Sequence, residues 1–148
     1  MSEARSSGYA GDVSARDAWN DLRSSPKAVL VDVRTAAEWA YVGVPVLSSI
    51  GKSTVMVEWD EFPSGMLVPD FPGRLKSALD KLGVQPGDPV YFICRSGNRS
   101  RHAAVAATAI GYTHAHNVAE GFEGRLDEAR HRGSGKSWKG EGLPWVQS

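Results

Sequence analysis

Two short runs, Ala28 to Val33 (AVLVDV) and Val90 to Cys94 (VYFIC), constrain the fold more than any other feature of this chain. Both are apolar almost without a break and rich in β-branched or aromatic residues, so neither alternates as a strand with one wet face would. Strands of this kind are covered on both sides. Helical stretches separate the strands. Ser14 and Asp17 have capping-box spacing, with Ala15, Ala18, Trp19 and Leu22 on one face, which predicts a helix over 14–24 that Pro26 ends. A short Ala/Glu/Trp stretch occupies 35–40; Leu75, Ala78, Leu79 and Leu82 repeat the helical spacing before Gly83; and Ser100 to Ile110 is apolar nearly all round. A further strand is expected at 114–118, with weaker candidates at 44–50 and 54–59. The alternation implies an α/β fold: a mainly parallel sheet with helices on both faces, joined by right-handed crossovers.

A length of 148 residues suits one domain. Residues 1–11 carry little to bury and are expected to be a flexible N-terminal segment, leaving 12–148 as the domain. The passage 60–72, with three prolines and a glycine, is expected to be loop. Lys plus Arg and Asp plus Glu both total 17, so no global field favours nucleic acid or an anionic membrane. No apolar run approaches a membrane span and no secretory leader opens the chain, which makes a cytoplasmic location the expectation. The single cysteine excludes an intrachain disulfide and a four-thiolate zinc site.

That cysteine ends the most apolar strand and opens the sequence Cys94-Arg95-Ser96-Gly97-Asn98-Arg99-Ser100, which runs into a helix. In open parallel sheets ligands bind beyond the carboxyl ends of the strands, which is where this loop would lie. Gly97 and Asn98 tolerate the backbone angles of a tight curl, and a curl entering a helix turns unpartnered N–H groups inward to form an anion cradle. A cysteine is by default a small buried hydrophobe. Flanking arginines, a glycine and a helix N-terminus instead favour its thiolate. From Tyr91 to Val118 there are three arginines and no acidic residue, which predicts a locally cationic site.

The loop resembles the active-site loop of single-domain rhodaneses, a family of sulfurtransferases. The resemblance extends to Val31-Asp32-Val33-Arg34 with Glu38-Trp39, to Leu82 through Val90, to Asn117 through Gly121, and to Trp138 with Gly142-Leu143-Pro144. It implies a rhodanese-like, five-stranded mainly parallel sheet and a cysteine, Cys94, that alternates between thiolate and persulfide. Arg95, Ser96, Gly97, Asn98, Arg99 and Ser100 would bind the substrate, with Arg99 at the site or its rim. Asp32 and Arg34 would support the site by tying loops together. No cofactor and no metal is expected. The implied partners are a small anionic sulfur donor such as thiosulfate and a thiol or cyanide acceptor, with a protein sulfur acceptor as a further candidate.

Two insertions depart from shorter family members. One lies near 51–72 and follows Gly43-Val44-Pro45-Val46, where many members carry a histidine-containing turn; the other spans roughly 123–136. Both are expected on the sheet edge that carries Cys94, where lid, docking and plain decoration remain open roles. The competing functions are a persulfide carrier or binding module that delivers sulfur to a protein partner and, third, a cysteine phosphatase. The spacing Cys-x4-Arg, with Ile93 before the cysteine, is one residue shorter than the phosphatase pattern His-Cys-x5-Arg. Gly135-Lys136-Ser137 lacks the earlier glycine of a P-loop, His114 and His116 lack a third ligand, and His102 lies too far along its helix to serve as a base. Trp39, Trp59, Trp138 and Trp145 read as packing residues.

Overall fold

The computed structural model describes residues 8–124 and 135–147. Its main sheet has five parallel strands in the order β1 (Gly11–Val13), β6 (Ala115–Val118), β5 (Val90–Ile93), β2 (Val29–Asp32) and β4 (Val55–Met56). The two apolar runs lie side by side at its centre, with Val29 opposite Val90 and Asp32 opposite Ile93. Their side chains alternate between two cores. Val31, Val33, Phe92 and Cys94 pack with Phe71, Leu75, Leu79, Ala103 and Ala107, while Leu30, Tyr91 and Ile93 pack with Ala15, Ala18, Leu22, Phe122 and Trp138. Strands that fill a core on each face need continuous apolar sequence, which is what these two carry.

Helix α1 (Ala15–Ser24) covers one face, capped by Ser14, whose hydroxyl accepts from the Asp17 N–H. Helices α3 (Phe71–Lys81) and α4 (Asn98–Ala109) cover the other. Helix α2 (Ala36–Val42) follows β2 and buries none of its residues; a complete capping box between Thr35 and Glu38 holds its start. Two further strands, β3 (Val44–Pro45) and β7 (Trp145–Val146), form a small antiparallel pair apart from the main sheet.

Four expectations need correction. The N-terminal segment is in place from residue 8, where Tyr9 is buried in the core and hydrogen-bonds Asp12, and β1 begins at Gly11; residues 1–7 lie outside the described part. The 44–50 candidate is a strand only at Val44–Pro45, in the small antiparallel pair and not in the main sheet, and turns into a 3-10 helix at Ser48–Ile50. The 54–59 candidate pairs as a strand only at Val55–Met56, although the N–H groups of Val57 and Trp59 still bond the carbonyls of Asp32 and Val33. Helix α3 starts at Phe71, inside the passage expected to be loop, because Asp70 caps it by accepting from Gly73 N–H and Pro72 sits where a first turn needs no N–H. Trp138 is fully buried, Trp39 and Trp59 partly so, and Trp145 is exposed on β7.

Candidate functional site

Cys94 follows β5 at the carboxyl end of the sheet, beside the end of β2, and is only 1% exposed. Three donors meet its Sγ: the Gly97 N–H at 3.2 Å, the Ser100 N–H at 3.3 Å and the Ser100 hydroxyl at 3.2 Å. The curl that brings them round depends on Gly97, which has φ +100° and lies so close to the following segment that an added Cβ would sit 2.0 Å from the Ala119 carbonyl oxygen. Gly121 answers it from the other chain, passing where a Cβ would meet the Cys94 and Arg95 carbonyls. The N–H groups of Phe122, Glu123 and Gly124 then bond those same two carbonyls. The segment after β6 thus clamps the loop, and the second insertion leaves from the edge that carries Cys94; residues 125–134 of that insertion lie outside the described part.

Ser100 Oγ also lies 2.6 Å from Asn117 Oδ1, and Asn117 Nδ2 donates to Asp12 Oδ1 at 3.0 Å. A carboxylate only accepts, so Asp12 fixes which way the amide points and leaves Oδ1 toward Ser100. The single Ser100 proton therefore has two claimants. Given to Asn117, it leaves Oγ free to accept from a Cys94 S–H; given to Sγ, it adds a third donor to a thiolate. In the sequence Asn117 is only the start of the stretch through Gly121 that resembles the family, and Asp12 is expected merely to open the domain.

The arginines behave differently from their count in the sequence. Arg99 donates to both oxygens of Glu38 at 2.7 and 2.8 Å and to Asp60 at 3.3 Å. Burial works to lower its pKa, but Glu38, then Cys94 and Asp60, hold it above the ordinary value. For Glu38, burial works upward, and the Arg99 guanidinium with the Thr35 hydrogen bonds outweighs it, holding the carboxyl below its ordinary value. Arg34 is fully buried; it pairs with Asp32 at 2.6 Å, donates to the Gly43 carbonyl at 2.8 Å and lies over the Phe122 ring. Arg101 donates to Asn98. The locally cationic site is thereby corrected: carboxylates 61 and 39 residues away in sequence fold onto Arg99.

A cleft of about 470 Å³ borders the loop on the Arg95 and Arg99 side, and Glu38, Asp60, Glu61, Phe62 and Glu123 line it as well. Ser96 and Asn98 line a separate recess of about 390 Å³ with Asp12, Arg101 and Asn117. Of the residues the sequence singled out, Gly97 and Ser100 reach Sγ, Arg99 and Arg95 form the rim, Ser96 and Asn98 face the far side, and Asp32 with Arg34 joins β2 to the turn at Gly43. Among the described residues no group of three or more His, Cys, Asp or Glu could hold a metal, and no helix is long and apolar enough to cross a membrane.

The family description that fits is the rhodanese-like domain, matched over residues 14–128. The chain belongs to the rhodanese-like domain family. The rhodanese-like chain is 36% identical over 135 residues to an uncharacterised protein of Rickettsia conorii, covering 90% of itself and 95% of that protein. It resembles the crystal structure of Rv0390 from M. tuberculosis with 48% identity and a TM-score of 0.84, covering 95% of this chain and 99% of that one. The polysulfide-sulfur transferase homodimer of Wolinella succinogenes, at 23% identity and a TM-score of 0.57, shares the fold over 98% of this chain and 82% of that one.

Proposed function

We propose that this rhodanese-like domain is a sulfurtransferase that carries sulfane sulfur as a persulfide on Cys94. The observation that carries the reading is the convergence of two backbone N–H groups and one hydroxyl on Sγ at the head of α4. Those donors and the helix N-terminus stabilise negative charge on sulfur without rearranging during the reaction. In the first half of the cycle the Cys94 thiolate attacks the outer sulfur of a donor such as thiosulfate. The donor's S–S bond breaks, its electron pair leaves with sulfite, and Cys94 holds the second sulfur. In the second half a thiolate or cyanide attacks that outer sulfur and Sγ departs as thiolate. Charge returns to the same donors in each half, so one cradle serves both. No metal or cofactor enters either step.

The phosphatase reading loses support from Arg99, whose guanidinium is already committed to Glu38 and Asp60 instead of standing ready for phosphoryl oxygens. The relay reading, in which the physiological acceptor or donor is a protein, draws support from the acidic lining of the cleft. Incubation with thiosulfate or inorganic polysulfide is expected to add the mass of one sulfur atom to the protein, with the label on Cys94, and Cys94→Ala to abolish both the mass gain and sulfite release. An unmodified wild type with both donors, or a labelled Cys94→Ala protein, would defeat the reading.

A further inference from the structure

We propose that the cleft beside Cys94 receives a cationic, partly apolar segment of another protein, whose own cysteine exchanges sulfur with Cys94. The inference rests on the persulfide reading above and names the partner's chemistry. Its first support is charge. Glu38, Asp60, Glu61 and Glu123 set four carboxylates against the guanidiniums of Arg95 and Arg99, and Arg99 spends its donors on two of those carboxylates. Among the described lining residues, a small dianion entering the cleft meets net negative charge, and so would a nucleic acid or an anionic lipid surface. A segment bearing lysine or arginine beside its cysteine meets attraction instead.

The second support is the first insertion. Asp60 and Leu67 pair across an antiparallel bridge, Glu61 N–H bonds the Met66 carbonyl at 2.8 Å, and Gly65 N–H bonds the Glu61 carbonyl at 2.7 Å. This ordered hairpin nevertheless holds Phe62, Met66 and Leu67 at 71, 67 and 64% exposure. Phe62 lines the cleft that leads to the rim arginines, and Met66 and Leu67 extend its apolar surface along the same hairpin; the fold buries none of the three, and together they form the apolar half of a docking surface. Transfer itself needs no further reagent. The partner's thiolate attacks the outer sulfur of the Cys94 persulfide, the S–S bond breaks with its electron pair on Sγ, and the partner leaves as the persulfide.

The test loads the full chain with inorganic polysulfide and follows sulfur transfer to two synthetic peptides of one length. Each contains one cysteine and one leucine, flanked by lysines in one and by glutamates in the other. The same pair is run against the variant Glu61→Lys, Glu123→Lys, because the ratio of preferences between the two proteins cancels the peptides' intrinsic thiol reactivity. The expected ratio favours the lysine peptide in wild type by about tenfold or more at ~0.02 M ionic strength and collapses toward unity near ~0.5 M. Phe62→Ser with Met66→Ser is expected to slow the lysine peptide about fivefold. Equal preference in wild type and variant, or a preference indifferent to salt, overturns the proposal. Self-association that the Phe62 and Met66 substitutions abolish does so too, by naming a second copy as the occupant. If polysulfide adds no sulfur, the persulfide reading fails alone, and anisotropy of the two fluorescently labelled peptides with the unloaded chain still decides the docking.

Discussion

The Cys94 loop and the 60–67 hairpin border one cleft, yet the fold treats them in opposite ways. In the loop, both carbonyls at Cys94 and Arg95 are taken by Phe122, Glu123 and Gly124, Sγ has two N–H donors with the Ser100 hydroxyl in reach, and a single methyl group at position 97 has nowhere to go. In the hairpin, backbone bonds set the shape while Phe62, Met66 and Leu67 stay in water. A group that must stabilise developing charge gains from being fixed in advance, whereas a surface that selects a partner must keep its apolar area uncovered until the partner arrives. On the function proposed above, the comparison separates what the molecule needs for chemistry from what it keeps for recognition, and substitutions in the two regions should report that separation.

Gly97→Ala should have the largest effect. At φ +100° and 2.0 Å from the Ala119 oxygen, the new Cβ forces the loop away from the segment after β6. A loss of about 3 kcal/mol or more in unfolding free energy is expected from urea titration, together with a fall of about 100-fold in the rate of persulfide loading. Wild-type loading in this variant would show that the curl is not what positions the donors. Ser100→Ala comes next. It removes the hydroxyl whose one proton serves either Sγ or Asn117 Oδ1. Loading should slow by about 10- to 100-fold, with a stability cost of about 1–2 kcal/mol. A stability change with no change in rate would reduce Ser100 to a structural tie between α4 and β6.

Glu38→Gln probes the boundary between the two regions, because Glu38 holds Arg99 on the rim. The Glu38 carboxyl is held below its ordinary value, so its contribution to stability is complete above 4.5 and is lost as the pH falls through the lowered native value. Wild type should therefore exceed the variant by about 1–2 kcal/mol at neutral pH, and the gap should close in acid. Releasing Arg99 and removing one carboxylate should also lower the KM for thiosulfate by roughly threefold to tenfold. A gap that persists in strong acid, or a KM that rises, would mean that the pair does not set the charge of the rim.

How much of this was readable in the sequence follows from where each residue finds its partners. The central strands β2 and β5 carry their evidence in consecutive residues, and the Cys94 loop carries its chemistry within seven, so both are legible. The neutralisation of Arg99 is not, since Glu38 arrives from α2 and Asp60 from the hairpin. Strand β1 has only three residues, Gly-Asp-Val, and is a strand because its partner β6 offers a parallel edge. The pairing of β3 with β7 joins residues about a hundred positions apart, and two-residue strands show no periodicity to find. Local pattern therefore identifies the cysteine and the loop that curls round it, while the sign of the surrounding charge is a property of the assembled edge.

The smallest effect, and the sharpest contrast with Gly97, is expected from Phe62→Ser combined with Met66→Ser. Both side chains are already exposed, so the folded state loses almost none of its buried apolar area, and unfolding free energy should stay within about 0.5 kcal/mol of wild type. If the hairpin were instead a lid that packs down over the cleft in the free protein, the substitutions would remove real contacts and the urea midpoint would fall by a readily measured amount. An unchanged midpoint alongside slower transfer to the lysine peptide assigns these residues to the partner. A lowered midpoint assigns them to the fold, and the two regions would then differ in degree and not in kind.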